Sequence, residues 1–343
     1  MRSVLKVVSL VALVAVLAAV GLLAACGSSG TSSSASPSAA ASVDKTQAFK
    51  IGISQFVTHP ALDATVAGFK TALADAGFTN ITYDLQNSQA DFPTTSTIAQ
   101  KFAGENLDLI LTVATPNSQA MVKAVTTTPI VFSAVTDPVG SGLLTDAKAP
   151  SANVTGVSDM QPVEPILGLV KQLKPDATAV GAIYSDGESN SVFLVKAEKE
   201  VAKSMGLEIV DATASKPSEV QAAAQSLVGR VQAITVIGDN TAVSALESIV
   251  KVCNENGIVL LAGDPDSVKR GAAAGWGFDY TTVGKEAGMV AAQILSGTPV
   301  ADIPVVFVKD KPENLQLSIN EKAAQAQGVT VPADLVSQAV NKF

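Results

Sequence analysis

Histidine, cysteine and aromatic residues are scarce in this chain of 343 residues, and each shortage excludes a class of site. One His and two Cys are too few for a zinc site built from clustered His and Cys ligands. Aromatic residues make up 4%, with a single Trp, so we expect no surface that stacks nucleic-acid bases. A net charge of −8 disfavours binding to a phosphate backbone. The composition therefore predicts no metal, no cofactor and no nucleic-acid partner.

Motifs of nucleotide-binding and hydrolytic enzymes are also absent. No GxxxxGK[ST] or GxGxxG loop follows a predicted strand, which argues against a phosphate cradle. No GxSxG elbow is present, and the one histidine, His59, has no identifiable nucleophile for a catalytic triad. Asp264 and Asp266 are the remaining pair for acid–base chemistry. We expect a protein that is not an enzyme.

The first 26 residues have the organisation of an export signal. Arg2 and Lys6 precede the uncharged apolar run Val7–Ala25, which is nearly long enough for a transmembrane helix. The run ends in Leu23-Ala24-Ala25-Cys26-Gly27, which resembles a bacterial lipobox with Cys26 as the lipidated residue. A plain membrane anchor is the alternative. Residues 27–47 are rich in Ser, Ala and Gly, typical of a flexible tether, and so favour a lipid-anchored protein outside the cytoplasm.

From Phe49 onward, short apolar runs alternate with longer segments of helical periodicity. Continuous runs such as Leu109-Ile110-Leu111 and Ile130-Val131-Phe132 indicate strands buried on both faces, as in a parallel sheet covered by helices. Two such series follow one another, which predicts an α/β fold of two doubly wound parallel-sheet lobes joined by a hinge. In the second series, Val243–Glu255 is predicted to be one helix, with Cys253 as a small buried residue.

The lobe boundaries follow from the pattern of strands and helices. We expect the first lobe to hold residues 48–157 and about 282–308, and the second to hold 158–281 and about 309–343. The chain would then cross between the lobes near residues 155–159, 280–282 and 308–310.

Polar loops follow the predicted strands, and ligands of open α/β sheets collect at those carboxyl ends. First-half loops are rich in hydroxyl and amide groups and two of them start helices, which favours an anion. Second-half loops carry acidic residues, which favours a cation. The division indicates a zwitterionic ligand. The candidate ligand-binding residues are Gln55, Phe56, His59, Ala114, Thr115, Ser133, Ala134, Val135, Asp137, Asn190, Asp239, Asn240 and Asp264.

Roles can be assigned within that set. The residues expected to hold a carboxylate are Thr115, Ser133 and Val135. Asp239 is expected to bind an ammonium group beside Asn240, with Asp264 as the second choice. Phe56 and His59 are expected to border the side-chain pocket. Ser, Thr, Asn and Asp are also the commonest helix N-caps, so capping is the alternative for most of these residues, and core packing is the alternative for Phe56.

Six stretches resemble a known family. They are residues 51–63 (IGISQFVTHPALD), 114–116 (ATP), 131–140 (VFSAVTDPVG), 153–159 (NVTGVSD), 239–241 (DNT) and 267–271 (SVKRG). Together they resemble substrate-binding lipoproteins of ABC transporters with the type I periplasmic-binding-protein fold, and within these the TrpX-like family. The resemblance implies a receptor that captures an aromatic amino acid, tryptophan or phenylalanine, for ABC permease and ATPase subunits. We expect it to act as a monomer.

Two other functions stay open at this point. One is a receptor for a sugar or nucleoside, a class whose sites often stack flat ligands on Trp or Phe, with Trp276 as the single Trp of the chain. The other is a sensor that reports its ligand state to a signalling partner.

Overall fold

The computed structural model describes residues 43–343, and these form two α/β lobes, each built on its own sheet. The predicted signal segment, Cys26 and residues 27–42 of the predicted tether lie outside the described residues. None of the helices in the described part has the length and apolarity needed to cross a membrane.

The first lobe is built on a parallel sheet. Its strands, numbered in chain order, are β1 (Phe49–Gln55), β2 (Ile81–Asn87), β3 (Leu109–Val113), β4 (Ile130–Val135), β5 (Val154–Ser158) and β11 (Val306–Phe307). They lie in the order β11-β5-β4-β3-β1-β2. Its helices include α1 (Pro60–Asp75), α2 (Phe92–Ala103) and α3 (Thr115–Ala124). Every residue of β3, β4 and β5 is buried, as the continuous apolar runs predict for strands covered by helices on both faces.

The second lobe contains a larger sheet. Its strands are β6 (Ala179–Tyr184), β7 (Glu208–Thr213), β8 (Ala233–Val236), β9 (Val259–Ala262), β10 (Ala274–Phe278), β12 (Leu315–Ile319) and β13 (Asn341–Lys342). They lie in the order β13-β12-β10-β9-β8-β6-β7, and the pairing of β10 with β12 is antiparallel. The remaining helices are α4 (Val163–Leu173), α5 (Ser189–Ser204), α6 (Val220–Ser226), α7 (Asn240–Ser244), α8 (Leu246–Asn256), α9 (Pro265–Lys269), α10 (Tyr280–Leu295), α11 (Glu321–Ala326) and α12 (Ala333–Gln338).

The chain passes between the two sheets in segments that contribute to both lobes. One segment is residues 159–162, between β5 and α4; another is Asp279, between β10 and α10; a third is residues 308–314, between β11 and β12. Short 3-10 turns occupy Pro217–Glu219, Val300–Asp302, Val308–Asp310 and Pro312–Asn314. Elements far apart in sequence therefore meet where the chain crosses between the lobes.

Helix α10 packs directly on α1 of the first lobe. A Cβ atom at Gly284 would lie 2.0 Å from the carbonyl oxygen of Thr65, and one at Gly68 would lie 2.2 Å from the carbonyl oxygen of Thr281. The two backbones can approach this closely because both contact positions lack a side chain. This contact fixes the chain that returns from the second sheet onto the first lobe.

The prediction of one helix over Val243–Glu255 is wrong, because the segment is divided between α7 and α8. Ala245 separates the two helices, with φ −117° and ψ 26°. The start of α7 is hydrogen-bonded to Glu188, which precedes α5, whereas α8 packs its apolar stripe into the core of the second lobe. The two helices are thus held by different neighbours. Cys253 is buried in α8, as expected, and burial raises the pKa of its thiol to about 12.

Candidate ligand-binding site

A cavity lies between the lobes, at the carboxyl ends of parallel strands in both sheets. Its first-lobe wall consists of His59, Ala61, Leu62, Ala134 and Thr136. Its second-lobe wall consists of Asn190, Gly238, Asp239, Asn240, Val243, Gly263 and Asp264. Asp159, Gln161 and Tyr280 complete it from the crossing segments and the start of α10. These described residues include three carboxylates and no Lys or Arg, so the cavity favours a ligand with a cationic group.

Asp159 presents an unpaired carboxylate oxygen in this cavity. The Tyr280 hydroxyl donates to Asp159 Oδ2 at 2.6 Å, and the Gln161 amide donates to the Tyr280 oxygen at 3.0 Å. Asp159 Oδ1 and Gln161 Oε1 are buried and have no hydrogen-bond partner in the described part of the chain. Burial raises the pKa of Asp159 to about 6, so the carboxylate is ionised at neutral pH. An unpaired buried carboxylate is costly unless a ligand supplies the missing charge.

His59 provides a hydrogen-bond donor on the opposite wall. It caps α1, since its Nδ1 accepts from the Leu62 backbone N–H at 3.5 Å. Burial and the charge of Arg270 lower the pKa of His59 to about 3, so the ring is neutral at physiological pH. With Nδ1 acting as an acceptor, the proton of the neutral ring lies on Nε2. That buried N–H has no partner among the described residues, so it can donate to an anionic group.

Asp239 lies in the cavity wall, but its carboxylate already has protein partners. Oδ1 accepts from the Ala242 backbone N–H at 2.6 Å, which makes Asp239 the N-cap of α7. Oδ2 accepts from the Ser185 backbone N–H at 2.7 Å and from the Ser191 hydroxyl at 2.6 Å. Burial and the charge of Glu188 raise the pKa of Asp239. Asp239 is therefore a helix cap, as the capping alternative proposes, and Ser185 and Ser191 satisfy its other oxygen.

Asp264, the second choice for the ammonium, is also a helix cap. Its Oδ1 accepts from the Ser267 backbone N–H at 2.7 Å at the start of α9, a short helix that the sequence analysis missed. Burial raises the pKa of this carboxyl.

The structure brings about half of the predicted site residues to the cavity. Those in the wall are His59, Ala134, Asn190, Asp239, Asn240 and Asp264. Asp137 lines a neighbouring cavity, in whose wall Asn190 also lies. The predicted residues that are buried outside the wall are Gln55, Phe56, Ala114, Thr115, Ser133 and Val135.

The residues outside the wall have different surroundings. The Gln55 amide donates to the Val57 carbonyl at 2.9 Å and to Asp63 at 2.7 Å, so it braces the loop before α1. Phe56 packs in the first-lobe core, with its ring centroid 5.4 Å from that of Phe92, which matches the core alternative. Val135 is a core residue of β4.

Thr115 and Ser133 have a feature in the structure that fits a binding role. Their hydroxyl oxygens are fully buried and have no hydrogen-bond partner in the described part. Thr115 starts α3, and Ser133 immediately precedes Ala134 of the cavity wall. A buried hydroxyl without a partner costs about 1–3 kcal/mol, so both remain candidates for a ligand carboxylate.

Strained backbone accompanies these residues. The non-glycine residues with positive φ in residues 43–343 are Gln89 (53°), Ala90 (59°), Ala114 (81°) and Ala134 (54°). They lie at or just beyond the carboxyl ends of β2, β3 and β4. Such strain is typical of functional sites because the surrounding structure must stabilise it. It marks the same edge of the first sheet that the polar loops indicate.

Gln161 was not predicted as a site residue, and Asp159 and Tyr280 were expected only in segments that cross between the lobes, without a binding role. Asp159 and Tyr280 are 121 positions apart, so no local pattern links them. Gly263 makes room for this group, since a Cβ atom there would lie 2.9 Å from Gln161 Oε1.

Known proteins similar to this chain include two whose descriptions name an amino-acid ligand. A tyrosine-binding protein of Clostridioides difficile (strain R20291) is 41% identical over 286 residues, which cover 82% of this chain and 82% of the relative. A crystal structure from Streptococcus pneumoniae, described as the ABC domain in complex with L-Trp, is 31% identical with a TM-score of 0.82. That match covers 87% of this chain and 100% of the other.

A third relative is described as the ligand-free, open structure of a substrate-binding protein with adhesive properties from Clostridium difficile. It is 37% identical with a TM-score of 0.63, and the match covers 86% of this chain and 99% of the other.

The family model described as ABC transporter substrate binding protein matches residues 50–342. ABC substrate-binding proteins bind small ligands outside the cytoplasm, work with permease partners and are not enzymes. The family resemblance and the fold class predicted from the sequence are therefore confirmed. This chain belongs to the ABC transporter substrate-binding protein family.

Proposed function

We propose that this protein is the receptor of an ABC importer and binds an aromatic amino acid as a zwitterion in the cavity between its lobes. The observation that carries the proposal is the buried, unpaired Asp159 Oδ1 in a wall whose described residues include no Lys or Arg. An ammonium group would complete this site. The ligands named for the relatives, tyrosine and L-Trp, support an aromatic amino acid.

The ammonium group is assigned to Asp159 in place of Asp239. The Asp239 carboxylate caps α7 and accepts from Ser185 after β6 and from Ser191 of α5, whereas one oxygen of Asp159 is free. Gln161 adds a second free acceptor, because its amide nitrogen is engaged by Tyr280. A primary ammonium has three N–H donors, so adjacent acceptors suit it better than a single carboxylate does.

The carboxylate of the ligand is assigned to the first lobe. His59 offers its Nε2–H there, and the hydroxyls of Thr115 and Ser133 are buried without partners. A carboxylate accepts hydrogen bonds only, so these donors match its needs. The proposal thus keeps the expected division between a carboxylate on the first lobe and an ammonium group on the opposite side. It differs in assigning the ammonium to Asp159 and not to Asp239.

The comparisons support a ligand-bound arrangement of the lobes. The chain superposes on the L-Trp complex with a TM-score of 0.82, but on the open, ligand-free relative with 0.63, although the second relative is the more similar in sequence. Closure of the lobes about the crossing segments would remove water from around the zwitterion.

A sugar or nucleoside receptor is the weaker alternative. Trp276, which would supply a stacking surface, packs against the core of the second lobe and is not in the cavity wall.

A binding panel tests the proposed function. Calorimetry and thermal shift would be measured with L-tyrosine, L-tryptophan, L-phenylalanine, D-glucose, myo-inositol and adenosine. An aromatic amino acid at 100 times its Kd is expected to stabilise the protein by about 2.7 kcal/mol, while the sugar, the inositol and the nucleoside have no effect. Binding of a neutral ligand alone would contradict the proposal. Loss of uptake of the labelled amino acid on deletion of the gene would distinguish an importer receptor from a sensor.

The lipid anchor is a separate part of the proposal. It rests on the lipobox-like sequence that ends at Cys26 and on the Ser-, Ala- and Gly-rich segment after it. Changing Cys26→Ser is expected to abolish lipid labelling and to release the protein from membranes or leave it unprocessed. The control is Cys253→Ser, which removes the other thiol of the chain. Unchanged labelling and membrane fractionation of Cys26→Ser would show that this cysteine carries no lipid.

A further inference from the structure

We infer that Glu188 is a positioning residue that turns the side-chain oxygens of Asn190 and Asn240 toward the ligand and so makes the second-lobe wall an acceptor surface. The inference rests on the proposed function, because it explains how the same cavity prefers an ammonium group. Glu188 is fully buried, immediately precedes α5 and is not itself in the cavity wall.

The hydrogen bonds of Glu188 show what it controls. Its Oε1 accepts from the backbone N–H of Thr241 at 3.0 Å and from the Thr241 hydroxyl at 2.8 Å. Its Oε2 accepts from Asn190 Nδ2 at 3.1 Å, from Asn240 Nδ2 at 2.5 Å and from the Asn240 backbone N–H at 3.3 Å. No Lys or Arg of residues 43–343 forms an ion pair with Glu188, so these donors alone compensate its buried charge.

A carboxylate accepts hydrogen bonds and donates none, so each amide must present its NH2 group to Glu188. The oxygen of each amide then points away from Glu188. Asn190 and Asn240 both lie in the cavity wall, and Asn190 Oδ1 is buried with no partner in the described part.

Glu188, which is not part of the cavity wall, thus determines that the two asparagines present hydrogen-bond acceptors to the cavity. The Gly238 carbonyl also holds Asn190 Nδ2, at 2.8 Å, whereas Glu188 is the side-chain partner of Asn240 Nδ2. Loss of the Glu188 charge should therefore free Asn240 first. A neutral glutamine at 188 carries its own NH2 group, so the Asn240 amide can rotate and turn a donor toward the cavity. The site would then lose part of its preference for an ammonium group.

The test compares L-tyrosine with its desamino analogue, 3-(4-hydroxyphenyl)propanoate, by calorimetry on the full chain. Glu188→Gln is expected to bind L-tyrosine at least about tenfold more weakly and to lose at least tenfold of the preference for L-tyrosine over the analogue. Glu198→Gln is the matched control, because Glu198 is a buried glutamate of α5 that lies outside the cavity wall. It should keep the wild-type preference within twofold.

A second variant keeps the inference testable if Glu188→Gln does not fold. Asn240→Ala leaves the Thr241 bonds of Glu188 in place and should lower the same preference by a similar factor. The double variant should be no weaker than the more affected single variant, because the two residues act as one unit. If both single variants kept the wild-type preference for L-tyrosine over the analogue, the positioning role would be overturned. The proposed function would still stand in that case, provided that the wild type binds L-tyrosine. If the wild type bound none of the aromatic amino acids, the proposed function would fail, and the inference would fail with it.

Discussion

Asp159→Asn is expected to weaken binding of the amino acid at least about 30-fold. The substitution keeps the shape of the side chain and a hydrogen-bond acceptor but removes the charge that faces the ammonium group. Loss of one partner of a buried charge pair costs about 2–5 kcal/mol, and every 1.4 kcal/mol is tenfold in Kd. Calorimetry with the tightest-binding aromatic amino acid would measure the change.

The dependence of affinity on pH should include a component from the same group, which Asp159→Asn removes. Burial raises the pKa of Asp159 to about 6, and the ionised form binds the ammonium. At pH values well above this pKa the Asp159 carboxylate is ionised, and the affinity for the amino acid is at its maximum. Below this pKa the affinity falls by up to about tenfold for each pH unit, because the proton must leave before the ammonium binds. Between pH 7.5 and pH 5, the wild type should therefore weaken about tenfold, and Asp159→Asn should change less.

The control for this prediction is Asp279→Asn. Asp279 is an exposed cap next to Tyr280, with Oδ1 2.8 Å from the Thr281 backbone N–H, and Asn serves equally well as a cap. Its affinity and pH profile should match those of the wild type. If Asp159→Asn bound the amino acid as tightly as the wild type, the ammonium would have to be assigned elsewhere, with Asp239 and Asp264 as the next residues to test.

Gly284→Ala is expected to lower the free energy of unfolding by about 2–3 kcal/mol. The added Cβ would lie 2.0 Å from the Thr65 carbonyl oxygen, which is backbone of α1 and cannot rotate away. Overpacking of this kind usually costs about 1–3 kcal/mol, and α10 would have to shift from α1 to relieve it. A lower midpoint of urea unfolding with an unchanged slope would show the loss.

Gly168→Ala is the matched control, since it adds the same methyl group to another helix interior. The nearest atom to a Cβ at Gly168 is Gln172 Nε2 at 4.0 Å, so the methyl group has room. Alanine is the better helix former by about 0.5–1 kcal/mol, and this variant should be slightly more stable than the wild type. Equal stability of Gly284→Ala and the wild type would mean that the α1–α10 contact is looser than described.

The fold could be predicted from the sequence because its main signals are local. The apolar run Leu109-Ile110-Leu111 is typical of a strand buried on both faces, and β3 is buried throughout. The single helix predicted over Val243–Glu255 failed for a non-local reason. Its apolar spacing continues through Ala245, but Glu188, 52 positions from Asn240, holds the first turn in a different place.

The candidate site was predictable as a region but only partly by residue. Strand ends indicate the edge at which the cavity lies, and His59, Asn190 and Asn240 line it. The loop after a buried strand favours Asp239 for the ammonium, but an acidic residue in that place can equally be a helix cap. The three protein donors to Asp239 come from Ser185, Ser191 and Ala242, and the first two lie far away in sequence. Whether a carboxylate has hydrogen-bond donors within the protein can therefore be read only from the folded structure.

A crystal structure of the protein with L-tyrosine, or with the aromatic amino acid that binds most tightly in the panel, tests the central claim most directly. We expect the ligand ammonium within about 3 Å of Asp159 Oδ1 and the ligand carboxylate on the first-lobe side, near His59, Thr115 and Ser133. An ammonium group bound to Asp239, or a ligand carboxylate that faces Asp159, would contradict the account.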